Sequence, residues 1–308
     1  MHSFEIYLPI AEMPVNVLGI LLLGAVGGFF SGMFGIGGGF LLTPFLIFIG
    51  VPPAVAVATS SNQTVAASFS GFLGHFRRKN VDIKMVVFLT IGGFLGSSGG
   101  VWLFAALKKI GQLDLAISVF YVLFLTTVGS LMALESIGHI RAKKKGIVPG
   151  KRKIPGWIKH GRLPFVVKFP VSELEISAAL PVAVGFLAGT LVALLGVGGG
   201  FVMIPAMIYL FGMPTSLVIG TSLLQIVFTT ANVTFLQATG THSVDIVLAA
   251  LLILGSVAGA QAGAQAALRL PAEKMRMWLA LIVLSVALKL ALDLLVAPAN
   301  PYSIIEVN

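Results

Sequence analysis

Charged side chains are missing over long stretches of the chain. Met13 to Phe76 is 64 residues without one, and Ile176 to Val244 is 69 more. Met85–Leu107, Leu115–Leu134, Ile246–Leu268 and Met277–Leu288 are shorter tracts of the same kind. A helix needs about 20 mostly apolar residues to cross ~30 Å of hydrocarbon at ~1.5 Å per residue. All but the last tract reach that length. The last does so when extended through Val296, with Lys289 and Asp293 spaced i, i+4 to pair or to snorkel at an interface. No single core could bury so many tracts. The runs are continuous and do not alternate every second residue, so helices are predicted and a barrel is not. The fold class is an all-α integral membrane protein that crosses several times.

The two longest tracts resemble each other. Gly35-Ile-Gly-Gly-Gly-Phe40 with Pro44 matches Gly196-Val-Gly-Gly-Gly-Phe201 with Pro205. Gly50-Val-Pro52 then matches Gly212-Met-Pro214, Thr59-Ser60 matches Thr221-Ser222, Gln63 matches Gln225, and Val81-Asp82-Ile83 matches Val244-Asp245-Ile246. So many matches in one order indicate a duplication. Glycines and prolines divide the first tract into Val15–Gly35, a short piece Phe40–Ile49 and Pro53–Phe76. Met85–Leu107 and Leu115–Leu134 follow, which makes five segments per repeat. Phe40–Ile49 would extend only ~15 Å and reads as a broken or re-entrant helix. The expected organisation is an outside tail (1–14), a first membrane repeat (15–138), a basic cytoplasmic loop (139–175), a second repeat (176–297) and an outside tail (298–308).

An odd count inverts the second repeat, and the basic residues test this. With the acidic N-terminus outside, Arg77–Lys79, the 139–175 loop and Arg269–Arg276 all fall inside, and the Gly240–Ser243 turn falls outside. Lys108 and Lys109 are the exceptions. Inverted repeats with broken helices are a common transporter plan.

Composition adds limits. Of 308 residues 57% are hydrophobic and 10% charged, and the mean hydropathy is +1.02, whereas a soluble domain is ~25% charged. The net charge of +9 suggests an anionic partner when taken alone. Yet ten of the twenty Lys and Arg lie between Arg141 and Lys168. That loop reads as a topology determinant touching anionic lipid headgroups. Nucleic acid is a poor partner, because only Trp157, Phe165 and Phe169 are interleaved and no known motif appears. There is no cysteine, the histidines are scattered, and no metal or cofactor is expected. The N-terminus has no basic run and does not read as a cleaved signal. Asp82 and Asp245 read as helix N-caps. No catalytic set stands out, so no enzyme is expected.

Two constellations carry candidate chemistry. Gly37, Gly38 and Gly39, and Gly198, Gly199 and Gly200, precede short helices inside membrane tracts. Glycine lets a backbone approach a ligand, and the helix that follows aims unpaired N–H groups and its positive dipole end at the turn. The plainer reading is close helix packing, which Gly24, Gly28 and Gly32 also suit. The second constellation is Thr59, Ser60, Ser61, Asn62 and Gln63 with Thr64, and its counterpart Thr221, Ser222 and Gln225. The hydroxyls can bond back to helix carbonyls. The amides of Asn62, Gln63 and Gln225 are expected to need partners across helices or a hydrated substrate path. Together the two sets supply neutral donors for a small anionic substrate.

On the doubled glycine motifs Gly35–Pro44 and Gly196–Pro205, with Thr59-Ser60…Gln63 and Thr221-Ser222…Gln225, the sequence resembles the sulfite exporter TauE/SafE family. The resemblance covers roughly Gly24 to Leu295, and the basic loop looks like an insertion between the halves. It implies secondary transport of sulfur-containing anions, sulfite or organosulfonates, out of the bacterial cytoplasm across the cell membrane. An anion channel, or a membrane scaffold or sensor recruiting a partner through the basic loop, are the alternatives. Oligomeric state stays open.

Overall fold

A computed structural model describes residues 4–144, 165–267, 269 and 272–295. The first half contains β1 (Glu5–Leu8), β2 (Met13–Asn16), α1 (Val17–Phe34), α2 (Gly39–Phe48), α3 (Pro53–Phe76), α4 (Ile83–Lys109) and α5 (Leu113–Lys144). The second repeats the order with β3 (Val166–Phe169), β4 (Leu174–Ser177), α6 (Ala179–Leu195), α7 (Gly200–Pro205, continued by a π turn over Ala206–Leu210), α8 (Thr215–Gly240), α9 (Ile246–Ala266) and α10 (Ala272–Leu295). Six of the described helices are long and apolar enough to cross a membrane: α1, α4, α8, α9 and parts of α5 and α10. The chain is thus an all-α membrane protein.

Local sequence sets the boundaries. α1 stops because Gly35 takes a left-handed conformation (φ 71°), and α6 stops the same way at Gly196 (φ 67°). Pro53 opens α3 at a position where its missing N–H is no loss. Asp82 and Asp245 cap α4 and α9, each accepting the N–H three residues on at 3.0 Å. α3 has the length to cross, yet its six consecutive polar residues lower its hydropathy below that of its counterpart α8.

Glycines bring the halves together. α1 lies against α9, with Gly24 on Leu252, Gly28 on Ser256 and Gly32 on Ala260. Both residue numbers rise together, so the two helices run parallel. α4 and α6 form the matching pair, with Gly92 on Val182, Gly96 on Phe186 and Gly100 on Thr190. At most of these contacts a Cβ would overlap the opposing backbone, so the axes approach as closely as small residues allow. α3 crosses α8, and α5 packs on α10. The outer faces are apolar: Leu18, Leu22 and Val26 lie exposed along one side of α1, as a helix facing lipid requires.

Two antiparallel hairpins, β1–β2 and β3–β4, close opposite faces of the bundle. They extend the duplication beyond what the motifs suggest. Leu8-Pro9 corresponds to Phe169-Pro170, and Glu12 (φ 52°) to Glu173 (φ 53°). The residues expected as an outside tail therefore include an ordered hairpin, with Leu8 fully buried. Those expected as the basic loop include a second hairpin and the last turns of α5; 145–164 lie outside the described residues. Lys108, an exception to the charge pattern, donates to the Thr241 carbonyl at 2.8 Å and to Ser243 Oγ at 2.9 Å.

Candidate functional site

The two glycine turns meet inside the bundle. Residues 35–39 and 196–200 lie antiparallel about an approximate two-fold axis between Gly37 and Gly198. A Cβ on either of these would lie 3.1 Å from the other's Cα. Gly39 rests on the Gly196 carbonyl, and Gly200 on Ile36 and the Gly35 carbonyl. The packing role of the triplets is thus real, because any side chain at Gly39 would collide with backbone. It does not exhaust them. The first N–H groups of α2 have no partner within their own helix and sit beside the crossing. Gly199 adopts φ +75° immediately before α7.

The polar run lies beside these turns. Ser60 Oγ donates to the Ala56 carbonyl at 2.5 Å, shares a hydrogen bond with Thr43 Oγ1, and sits 3.0 Å from the Cβ position of Gly196. Its counterpart Ser222 donates to the Gly35 carbonyl at 3.0 Å. Each half's serine therefore touches the other half's left-handed glycine. Ser61 and Thr64 bond back to the carbonyls of Val57 and Ser60. The Thr64 methyl lies against both Gly37 and Gly198. Thr59 and Thr221 turn elsewhere, accepting from the backbone N–H groups of Asp245 and Asp82. Asn62 is only half-buried and makes none of these contacts.

The two glutamines differ. Gln225 Nε2 donates to Thr229 Oγ1 at 2.7 Å. This corrects the expectation that its amide must look beyond its own helix, to another helix or to a hydrated path, since residues four apart share a helix face. Gln63 Nε2 is fully buried with no hydrogen-bond partner and lies 3.1 Å from the Cβ position of Gly38. An unpartnered amide donor in an apolar interior costs ~1–3 kcal/mol, and here it stands at the N-terminal end of α2. Asn232 and Gln237 bridge helices instead, to Ser97 Oγ at 2.8 Å and to the Ala193 carbonyl at 3.1 Å.

A cavity of about 560 Å3 adjoins the crossing between α5, α7 and α10. Ile36, within the first turn, and Phe201, directly after the second triplet, both line it. The sequence reading missed it, because a void depends on how α5 and α10 pack. It also missed Thr43 and Tyr121, which join the polar contacts on the other side of the turns: the fully buried Tyr121 donates its hydroxyl to the Leu195 carbonyl. Among the described residues no group of three His, Asp or Glu is placed to hold a metal ion.

A family model described as Sulfite exporter TauE/SafE matches residues 20–290. The chain is 30% identical over 274 residues to "Probable membrane transporter protein YjnA" of Bacillus subtilis, covering 88% of this chain and 98% of that protein. It is 29% identical over 273 residues to a "Probable membrane transporter protein" of Xylella fastidiosa, covering 86% and 91%. A more distant similarity, 24% over 122 residues, reaches "Sulfite exporter TauE/SafE family protein 3" of Arabidopsis thaliana, covering 38% of this chain and 26% of that one. No solved structure gave a significant match.

Proposed function

Since the chain belongs to the sulfite exporter TauE/SafE family of membrane proteins, we propose that it is a secondary transporter that exports a small sulfur-containing anion. The observation that carries this is the Gln63 Nε2 donor, buried and unpartnered beside the N-terminal end of α2 where the glycine turns cross. A donor left free in an apolar interior suits an anion that arrives and leaves. The N–H groups of α2 add further donors, and the helix dipole favours negative charge. No titratable base is needed for such a site.

Alternating access between inverted halves is the mechanism proposed. It is supported by the directions of the helices. α1 and α9 begin at the face closed by β1–β2, and α4 and α6 begin at the face closed by β3–β4. α1 and α6, first in their halves, thus enter from opposite sides. Arg77–Lys79 lie with β3–β4, the face assigned to the cytoplasm of a bacterial inner membrane. Gly37–Gly39, Gly198–Gly200, Ser60, Ser61, Asn62, Gln63, Ser222 and Gln225 surround the transport path, and Thr59 and Thr221 hold its ends. A potential negative inside drives anion export by ~2.3 kcal/mol per charge per 100 mV.

Purified protein in liposomes tests the proposal. Saturable, countertransport-stimulated flux of sulfite, thiosulfate or a sulfonate is expected. Absence of flux for all three in a correctly folded preparation sinks it, and non-saturable flux points to a channel.

A further inference from the structure

We infer that Ser31, Ser68 and His75 form a second anion site, on the cytoplasmic side of the glycine crossing, where the anion loads before it reaches Gln63. This rests on the transport reading and the orientation proposed above, and deepens them.

Hydrogen bonding comes first. Ser31 and Ser68 are fully buried, and His75 is 6% exposed. Both hydroxyls and both ring nitrogens lack a hydrogen-bond partner. A hydroxyl within a helix can bond back to the carbonyl four residues earlier, as those of Ser61 and Thr64 do. The hydroxyls of Ser31 and Ser68 stay free, and a buried polar group left unmet is costly.

Position comes second. Thr64, Ser68, Gly71 and His75 share one face of α3. That face starts at the crossing, where the Thr64 methyl meets Gly37 and Gly198, and runs ~16 Å toward Arg77. At its middle, a Cβ on Gly71 would lie 3.3 Å from the Cα of Gly32, the neighbour of Ser31 on α1. The Gly27 carbonyl lies 2.9 Å from the Cβ position of Gly38, the position that Gln63 Nε2 also approaches. Ser31 follows one turn on from Gly27 along the same face of α1. The free groups thus lead from Gln63 toward the cytoplasmic end.

The internal repeat supplies the third observation. At the offset that relates Gln63 to Gln225, Ser68 matches Thr230 and His75 matches Gln237. Thr230 Oγ1 donates to the Ile226 carbonyl at 2.7 Å, and Gln237 Nε2 to the Ala193 carbonyl at 3.1 Å. What Gln237 leaves unpartnered is an acceptor, Oε1. Ser31 matches Val192: the N–H of Gly35 donates to the Ser31 carbonyl at 2.8 Å, and that of Gly196 to the Val192 carbonyl at 2.7 Å. Val192 packs with Val101, Ala193 and Val233. One seam is apolar with its donors satisfied, and the other keeps donors free, so the fold alone does not require them.

Charge selects the ligand. α1, α8 and α9, which flank this stretch of α3, carry no charged side chain. Arg77, Arg78 and Lys79 follow His75 directly and are exposed. Asp82, the nearest acid along the chain, has one oxygen on the Met85 N–H and the other on the Ser172 hydroxyl. Two hydroxyls, an imidazole N–H and a cationic rim suit a small oxyanion and repel a cation.

Calorimetric titration of the purified protein with sulfite, thiosulfate and methanesulfonate in turn is the test. The transported anion is expected to bind in two phases, two anions per chain, the weaker at Ser31, Ser68 and His75. His75→Gln, which copies Gln237, is expected to remove the weaker phase and leave the tighter one unchanged. Flux at subsaturating cytoplasmic anion should fall roughly tenfold, the loss of one hydrogen bond to a charged group. Should that variant fail to fold, Ser68→Thr, which copies Thr230, is expected to weaken the same phase, because its hydroxyl can bond back to the Thr64 carbonyl. Binding of one anion per chain, or a second phase that neither variant alters, overturns the inference, and the transport reading stands as long as an anion moves. If none of the three binds or moves, both fall.

Discussion

The backbone N–H of Asp245 donates to Thr59 Oγ1 at 3.1 Å, across 186 residues of chain. The same bond recurs between Asp82 and Thr221 at 3.0 Å. Each aspartate also reaches the hairpin of the other half. Asp245 Oδ2 accepts from the N–H of Ile10 at 2.8 Å and of Ala11 at 3.3 Å, and Asp82 Oδ2 from the Ser172 hydroxyl at 2.5 Å. One carboxylate thus caps its own helix and fastens the opposite repeat.

Asp245→Ala removes a cap worth ~1 kcal/mol and two charge-assisted bonds. A loss of roughly 2–4 kcal/mol is expected, seen as a lower melting temperature in detergent. Asp82→Ala should act similarly at the other face, and the two losses should add. Strong non-additivity would mean that the two faces are energetically coupled.

Glycine substitutions should divide by location. Gly39→Ala and Gly200→Ala force a methyl into backbone and should abolish folded protein, scored by size-exclusion yield. Gly99, in α4, has open space around its Cβ position. Gly99→Ala should be neutral or stabilise by up to ~1 kcal/mol. Equal yields for all three would contradict the crossing.

Gln63→Leu removes the unpartnered Nε2 donor, together with the long 3.4 Å bond that Oε1 accepts from Thr64, and leaves a shape of similar size. Stability should hold or rise by ~1 kcal/mol, while anion flux and anion-dependent stabilisation are lost. Gln225→Leu should destabilise instead, because it strands Thr229. A Gln63→Leu protein that melts early and transports normally would reverse the assignment.

Because the sequence has no cysteine, single-cysteine variants report sidedness directly. A membrane-impermeant thiol reagent applied to intact cells should label His242→Cys and spare Arg78→Cys; both positions are exposed. Labelling of both or neither from one side would refute the inverted arrangement.

Much of this fold was legible in the residues. Gly35, Gly50 and Pro53 punctuate the first tract at the places where α1, α2 and α3 begin or end, because left-handed and N–H-free positions admit few alternatives. Asp82 and Asp245 announced their caps by standing before apolar runs. The hairpins were less visible, although Leu8-Pro9 and Phe169-Pro170 carry the offset of the glycine motifs. The site was legible as composition and not as wiring. The residue four places on decides which amide donor is satisfied, Ala67 after Gln63 against Thr229 after Gln225. The cavity is lined from α5, α7 and α10 together, by residues as far apart as Val128, Ile204 and Leu279, so no local stretch announces it.

The pairing of α1 with α9 has a consequence for how the protein is made. α1 leaves the ribosome well before α9, and the surface that fits its row of glycines follows more than two hundred residues later. α4 waits a shorter time for α6. Synthesis therefore delivers the helices in an order in which each half spends its early life incomplete, and assembly resembles the docking of two immature subunits more than the steady growth of one.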